Sequence, residues 1–234
     1  MNYFAHGQAY TDDPYFLVGT AVPDMLNVVD RKIRVRSNQA SAFLMAKDAA
    51  TAAIAAGVVQ HHHDDGWFHR TQAFTELSLT FTVAVRDILG GDGSFRSHFL
   101  GHILVEILLD SELIEKHPCQ LQLYYDALRC VDTSKLADAV TSMSGRHAIG
   151  IAWLLPRFID ERFLWDYPED EKLLKRLNQV MRRVRLPLLP EAFLQLLPNA
   201  RDQVRMRQEE LLTPVVVPEI EETGTTKNIS GRNG

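Results

Sequence analysis

Residues 41–65 read SAFLMAKDAATAAIAAGVVQHHHDD, and this alanine-rich segment sets the expectation for the whole chain. Alanine has the highest intrinsic helix propensity of all residues, and Gly57 is the one weak point of the segment. The segment therefore predicts a long α-helix whose last turns carry histidines and aspartates.

Most of the remaining chain repeats apolar residues at intervals of three and four, which is typical of amphipathic helices. Pro14, preceded by Asp12 and Asp13 as capping candidates, opens a short helix that we expect to end near Pro23. No strand–turn–strand pattern occurs, so the sequence predicts an all-α fold. Further helices are predicted over 67–89, 94–117 with Ser94 as the cap, 120–129, 133–143, 148–164, 168–184 and 190–211.

Length and composition predict one globular domain with a tail. The 234 residues are 46% hydrophobic and 24% charged, which is ordinary globular composition. After Leu212 the sequence changes to Pro, Thr, Gly, Asn and Glu, so we expect a helical domain over 1–212 and a poorly ordered tail over 213–234. Cys119 and Cys130 form no metal-binding spacing, which excludes a thiolate metal site.

Charge and hydropathy argue against a nucleic-acid-binding, a secreted or a membrane protein. The net charge of -5 at pH 7 argues against an extended surface for nucleic acids or anionic membranes. The N-terminal sequence lacks the basic start and apolar run of a secretory leader, and no segment reaches the roughly 18 apolar residues of a membrane helix. We therefore expect a cytoplasmic protein, and the sequence leaves its oligomeric state open.

Histidines and acids form two stripes at a four-residue step, which places side chains along one face of a helix. The first stripe consists of His61, Asp65 and His69. The second consists of His98, His102, Glu106 and Asp110, on a segment that is otherwise apolar. Burying an unpaired carboxylate or imidazole costs several kcal/mol, so these side chains need partners, either the other stripe or a cation.

A divalent metal ion would satisfy both stripes together. Nitrogen and oxygen donors without thiolates favour zinc, with manganese or iron as alternatives. An N-terminal helix that packs across the two stripes would add His6 and Asp24 to the coordination sphere. The predicted metal ligands are His6, Asp24, His61, Asp65, His69, His102 and Glu106.

Residues 57–69, GVVQHHHDDGWFH, resemble the Gly-x-x-x-His-x-x-x-Asp-x-x-x-His segment of the zinc-dependent phospholipase C family, which includes phospholipase D-type catalytic domains. Residues 16–24, FLVGTAVPD, are similar to that family's Gly…Pro-Asp element, and His102 with Glu106 to its His-x-x-x-Glu pair. The resemblance spans about residues 1–110 and implies a zinc-dependent phosphodiesterase. The chain lacks the leader of those enzymes and their N-terminal Trp, whose amine and carbonyl bind metal.

A weaker resemblance runs further, to about residue 170. MNYFAH at 1–6, residues 57–65 and VEILLD at 105–110 resemble the acyl-carrier-protein phosphodiesterases, an HD-like phosphohydrolase family, as do SMSGRH at 142–147 and ERF at 161–163. His69 and Glu106 stand where that family tends to have Asp. This resemblance implies a phosphopantetheinylated carrier protein as substrate, whereas the first implies a small phosphate ester.

Both resemblances and the donor pattern predict a hydrolase in which one or two metal ions activate water at a phosphate ester. Asp65 is the best candidate to bridge two ions, and Asp110 to orient a ligand or act as general base. Arg146 or Arg70 would bind phosphate. Two alternatives remain open: a noncatalytic binding module with a structural or vestigial metal site, and an interaction protein with a buried polar network and no metal.

Overall fold

The computed structural model describes residues 1–91 and 93–214, and within these ranges the regular structure is helical, without a strand. The all-α prediction is therefore confirmed. The α-helices are α1 Tyr3–Gly7, α2 Pro14–Val29, α3 Ser37–Ser41, α4 Ala49–Phe68, α5 Gln72–Ile88, α6 Ser97–Lys116, α7 Pro118–Arg129, α8 Thr133–Ser144, α9 Ile149–Glu161, α10 Asp170–Val184, α11 Leu197–Met206 and α12 Gln208–Leu212. Short 3-10 helices occur at Gln8–Tyr10, Gly93–Phe95, Phe163–Asp166 and Glu191–Gln195.

Helices α2 and α4 cross at two glycines. A Cβ atom on Gly57 would lie 2.1 Å from the carbonyl oxygen of Phe16, and one on Gly19 would lie 2.4 Å from that of Ile54. Real Cβ atoms do not approach so closely, so the two backbones touch only because both positions are glycine. Gly57, the weak point of the predicted helix, is thus the contact that brings His61 next to α2.

Helix α6 anchors the N-terminal segment. The buried carboxylate of Asp110 accepts hydrogen bonds from the backbone N–H groups of Phe4, at 3.0 Å, and Ala5, at 2.7 Å. These groups belong to the first turn of α1, whose N–H groups have no partner inside the helix. Asp110 therefore fixes α1 against α6, and with it the positions of Met1 and His6.

Three predicted boundaries were wrong. Helix α2 continues through Pro23 to Val29, because Met25 and Leu26 are buried in the core and outweigh the hydrogen bond lost at proline. Helix α4 begins at Ala49, with the Asp48 side chain as its cap, rather than at residue 41. Helix α6 begins after Arg96 and not with Ser94 as its cap.

The predicted helix over 67–89 is interrupted. Helix α4 ends at Phe68, and the Thr71 side chain accepts a hydrogen bond from the Phe74 N–H group to begin α5. The break places His69 at the C-terminus of α4, where its ring reaches α6. The predicted helices over 148–164 and 190–211 are likewise divided, each into an α-helix or α-helices and a 3-10 turn.

None of the described helices is long and apolar enough to cross a membrane. Most of the tail predicted for residues 213–234, namely 215–234, lies outside the described residues.

Candidate metal centre

His6, His61 and Asp65 form a first group of donors, in which one nitrogen or oxygen of each lies within 4.8 Å of the other two. Nε2 of His6 is 3.3 Å from Oδ1 of Asp65, and Nε2 of His61 is 3.4 Å from Oδ2. The two imidazole rings stack with centroids 4.1 Å apart. Helix α1 supplies His6, and α4 supplies His61 and Asp65. The group therefore forms because α1 packs against the α4 residues of the first stripe.

The tautomer of His61 is set by α2. Its Nδ1 atom lies 2.8 Å from the carbonyl oxygen of Thr20. Because a carbonyl only accepts, Nδ1 carries the proton of this contact, and Nε2 faces Asp65. Metal-binding histidines use this arrangement, in which one ring nitrogen donates to a carbonyl and the other faces the ion.

His69, His102 and Glu106 form a second group with the same 4.8 Å limit. Oε1 of Glu106 lies 2.8 Å from Nε2 of His69 and 3.4 Å from Nε2 of His102. His69 comes from the end of α4, and the other two residues are one turn apart on α6. The group is more open than the first, since all three residues are partly accessible to solvent.

The α-ammonium group of Met1 joins the two groups. Its nitrogen lies 2.6 Å from Oδ1 of Asp65 and 3.3 Å from Oε1 of Glu106. Met1 is buried, so this cation is held between two carboxylates and away from bulk water. Sequence reasoning missed Met1, because a chain terminus carries no motif and reaches the site only through the packing of α1.

The charges of the site shift its pKa values strongly. Burial acts to raise the pKa of Asp65, but the adjacent rings of His6 and His61 and the Met1 ammonium outweigh burial and hold the pKa far below its usual range. Burial opposes ionisation of Glu106 as well, and the Met1 ammonium, His102 and His69 again lower its pKa. Both carboxylates are therefore ionised, which is the state that a metal ion requires.

His6 is the buried donor with the poorest partners. Its Nδ1 atom is 3.5 Å from Oδ2 of Asp64, and yet neither ring nitrogen makes a well-formed hydrogen bond within the described residues. Burial lowers the pKa of His6, and the carboxylates of Asp64 and Asp65 outweigh that effect and raise it. A buried imidazole without good partners, beside two further donors, fits a metal ion. Asp64, a second residue that sequence reasoning missed, also accepts a hydrogen bond from Gln60.

Asp24 stands apart from both groups. It lines a cavity of about 640 Å³ together with Glu106, Asn2 and Tyr3. Burial raises the pKa of Asp24, the histidines His61 and His6 lower it, and the negative charge of Glu106 raises it further. The carboxyl group therefore shares the electrostatic field of the site, but it is not among the atoms within 4.8 Å of one another.

Asp110 and the predicted phosphate-binding arginines lie elsewhere. Both Asp110 oxygens accept backbone N–H groups and the residue does not line the cavity. Burial raises the pKa of Asp110 to about 7, although those two hydrogen bonds oppose the rise. Arg70 and Arg146 are exposed and do not line the cavity either. The arginines that do line it are Arg31, Arg96, Arg157, Arg176 and Arg183, which no motif singles out.

The histidines outside the two groups have simpler surroundings. Nε2 of His62 lies 2.8 Å from the carbonyl oxygen of Val35, a contact that ties α4 to the segment before α3. His63 and His98 are exposed. All three residues of the first stripe thus belong to the two groups, whereas only His102 and Glu106 of the second stripe do.

Six of the seven predicted ligands therefore lie in two groups of two histidines and one carboxylate, and a single buried ammonium contacts the carboxylate of each group. Each group offers the nitrogen and oxygen donors that zinc accepts. No protein-family model, curated protein or solved structure matches the chain, so membership of either resembled family stays a prediction.

Proposed function

We propose that this chain is a metal-dependent phosphoric ester hydrolase, with its ions bound by the two groups of donors. The observation that supports the proposal is the convergence of both groups on one buried cation, the Met1 ammonium. A position where two carboxylates meet one positive charge, each beside two imidazoles, suits a divalent ion for the same electrostatic reason. The cytoplasmic location expected from composition belongs to this proposal too.

The ligand sets follow from the distances. His6, His61 and Asp65 would hold one ion, and His69, His102 and Glu106 a second. Zinc is favoured by these donors, with manganese or iron as alternatives. Three protein ligands per ion leave coordination positions for water or substrate, as catalytic sites do, whereas structural zinc sites are closed by four. When bound, such ions lower the pKa of water and neutralise charge on phosphate oxygens.

The residues of the chain bind and orient the substrate. Glu106 and Asp24 line the cavity, so a molecule in the cavity reaches one residue of the second group of donors, the carboxylate of Glu106. Arg176 lines the cavity as well, but it is held by Asp166 at 2.6 Å and by Glu161 at 3.6 Å. The cavity arginines without an ion pair among the described residues, Arg31, Arg96 and Arg183, are therefore better candidates than Arg70 and Arg146 to bind phosphate oxygens.

The first experiment measures metal content and generic phosphatase activity. Purified protein should contain one or two equivalents of metal, and it should hydrolyse bis(4-nitrophenyl) phosphate or 4-nitrophenyl phosphate with zinc, manganese or ferrous iron. His102→Ala should reduce both readouts, whereas His98→Ala, one turn away and exposed on the same helix, should leave both unchanged. Metal content below about half an equivalent, with no gain in thermal stability from divalent ions, would refute the proposal.

Chelation separates the enzyme from the noncatalytic alternatives. An enzyme should lose activity on chelation and largely keep its helical circular dichroism signal. If the metal instead only stabilises the fold, its removal should unfold the protein. If the site is a buried polar network without metal, chelation should change neither the activity nor the circular dichroism signal.

A further inference from the structure

The cavity of about 640 Å³ is lined by carboxylates and guanidinium groups that differ in exposure. Asp24 and Glu106 are partly buried, whereas Glu161 is exposed and pairs with Arg157 and Arg176. The exposed arginines of the lining are Arg31, Arg96, Arg157 and Arg183. The volume falls in the range of about 300 to 1,000 Å³ that is typical of small-molecule sites.

Three of these arginines have no acidic partner in the part of the chain that the structure describes. Arg157 pairs with Glu161, with nitrogen and oxygen 3.7 Å apart. Arg31, Arg96 and Arg183, which we name the arginine rim, make no ion pair within residues 1–91 and 93–214. The chain as a whole has more acids than bases, with a net charge of -5. Unpaired cations on one cavity of an acidic protein therefore create a local positive field that attracts anions.

The rim is assembled by tertiary structure. Arg31 follows α2, Arg96 precedes α6 and Arg183 lies in the last turn of α10. An Nη2 group of Arg31 donates to the carbonyl oxygen of Arg183 at 3.3 Å, so these two segments are in contact. Arg96 has φ 52 and ψ 61, a left-handed conformation that a residue with a side chain seldom adopts. Strained residues of this kind are enriched at ligand sites.

Much of the remaining cavity wall is apolar. Helix α6 contributes Phe99, Ile103 and Ile107. The other apolar side chains of the lining are Val28, Leu154, Phe158, Phe163, Val180, Val184 and Leu186. A ligand that fills the cavity therefore contacts Glu106 of the second donor group, apolar side chains and exposed guanidinium groups.

We propose that the substrate is a phosphate ester joined through an apolar segment to a second anionic group, which binds the arginine rim. This inference rests on the proposed hydrolase function, because it takes the ester to lie at the donor groups. Guanidinium groups bind phosphate, phosphonate or carboxylate oxygens through paired hydrogen bonds. An uncharged tail of the same length would fill the apolar wall and leave the rim without a partner.

A matched pair of probes tests the second anion. Both are 4-nitrophenyl phosphodiesters of an eight-carbon chain, one ending in a phosphonate and the other in a methyl group. In hydrolysis the oxygen of water bonds to phosphorus, one of its protons stays on the phosphate product and the other is released to solvent. The bond from phosphorus to the aryl oxygen breaks, and 4-nitrophenolate leaves with the electron pair and is measured by absorbance. We expect kcat/KM for the phosphonate probe to exceed that for the methyl probe by about tenfold or more.

Variants assign that preference to the rim. Arg96→Gln and Arg183→Gln should each reduce kcat/KM for the phosphonate probe by about tenfold and leave that for the methyl probe within about twofold. Arg182→Gln, at an exposed arginine of α10 that does not line the cavity, is the matched control and should change neither value. Equal use of the two probes by the unmodified protein would overturn the proposal.

A binding measurement keeps this test separate from the hydrolase proposal. Octane-1,8-diphosphonate and octylphosphonate are titrated calorimetrically into zinc-loaded protein, with no turnover needed. The diphosphonate should bind about tenfold more tightly or better, and Arg183→Gln should remove the difference. Equal affinities would overturn the second-anion subsite even if the protein hydrolyses simple esters. Selective diphosphonate binding without any hydrolysis would refute only the hydrolase function.

Discussion

Oδ1 of Asp65 lies 2.6 Å from the α-ammonium nitrogen of Met1. The same nitrogen is 3.3 Å from Glu106, so a single cation neutralises one carboxylate from each group of donors. Burial lowers the pKa of this ammonium, and the charges of Glu106 and Asp65 outweigh burial and raise it. The positive charge at this point is therefore maintained at neutral pH and replaces part of what a metal ion would supply.

A chain with extra residues before Met1 should lose this interaction. Adding Gly-Ser there turns the ammonium into an uncharged amide and leaves Asp65 and Glu106 without their shared cation. We expect the metal-free protein to lose about 2 kcal/mol of unfolding free energy, the value of a hydrogen bond to a charged group. Chemical denaturation measures the loss, and the same two residues added after Gly234 are the control. Equal stability of both extended chains would contradict the role given to the ammonium.

Asp65→Ala should abolish metal binding with little loss of helix. The carboxylate of Asp65 contributes donor atoms to the first group. Because its side chain is 30% exposed, removing the carboxylate should disturb the helical core little. Elemental analysis and far-ultraviolet circular dichroism give the two readouts. Asp138→Ala, an exposed position in α8, should retain the metal. Full metal content in Asp65→Ala would remove Asp65 from the ligand set.

Gly57→Ala should be strongly destabilising. The new Cβ atom would lie 2.1 Å from the carbonyl oxygen of Phe16, so α2 and α4 must separate. We expect a loss of about 2 kcal/mol or more, together with weaker metal binding, because His61 depends on the Thr20 carbonyl across this contact. The control is Gly66→Ala in the same helix, where the nearest atom would be 4.0 Å away. That variant should gain about 0.5 to 1 kcal/mol from better helix propensity.

The stability of the metal-free protein should decrease in acid. The pKa values of Asp65 and Glu106 are held below their ordinary values of 3.8 and 4.5, against the effect of burial, by the neighbouring cations and histidines. A group with a lowered folded pKa stabilises the fold above its unfolded pKa, and the contribution is lost as pH falls toward the folded value. We expect Tm to fall between about pH 5 and pH 3.

Glu106→Gln provides the comparison for that profile. The variant should have a lower Tm than the unmodified protein at neutral pH. Between about pH 5 and pH 3 its Tm should fall by less, because one of the two titrating carboxylates is gone. Glu209→Gln, on the exposed surface of α12, should follow the unmodified protein. Parallel profiles for Glu106→Gln and the unmodified protein would show that Glu106 does not contribute.

Asp110→Asn tests whether this residue positions α1 or takes part in proton transfer. The amide keeps one acceptor oxygen, so one of the N–H groups of Phe4 and Ala5 loses its partner, at a cost of about 1 to 3 kcal/mol. Metal affinity should fall with stability, since α1 carries His6. The shape of the pH profile of kcat/KM should stay the same. Loss of one limb of that profile, with normal stability, would instead identify Asp110 as a general base.

The sequence by itself predicts the all-α class, most helix positions and the types of the donor residues, because each depends on residues close together in the chain. Alanine propensity and three-to-four spacing predict a helix from its own residues. A four-residue step places His61 and Asp65, or His102 and Glu106, on one face of a helix whatever surrounds it. Packing overrode the local signal at Pro23, where buried Met25 and Leu26 extend the helix, whereas the starts of α4 and α5 follow side-chain caps by Asp48 and Thr71 that the predicted boundaries missed.

The convergence of the donors, the Met1 ammonium and the arginine rim came from tertiary structure alone. Met1 reaches Asp65 because Asp110 holds α1 on α6, a contact over more than a hundred residues of sequence. Arg31 and Arg183 meet because the segments after α2 and at the end of α10 are in contact. Spacing along a chain specifies which side chains share a helix face, but which faces meet depends on how the helices bury their apolar surface together.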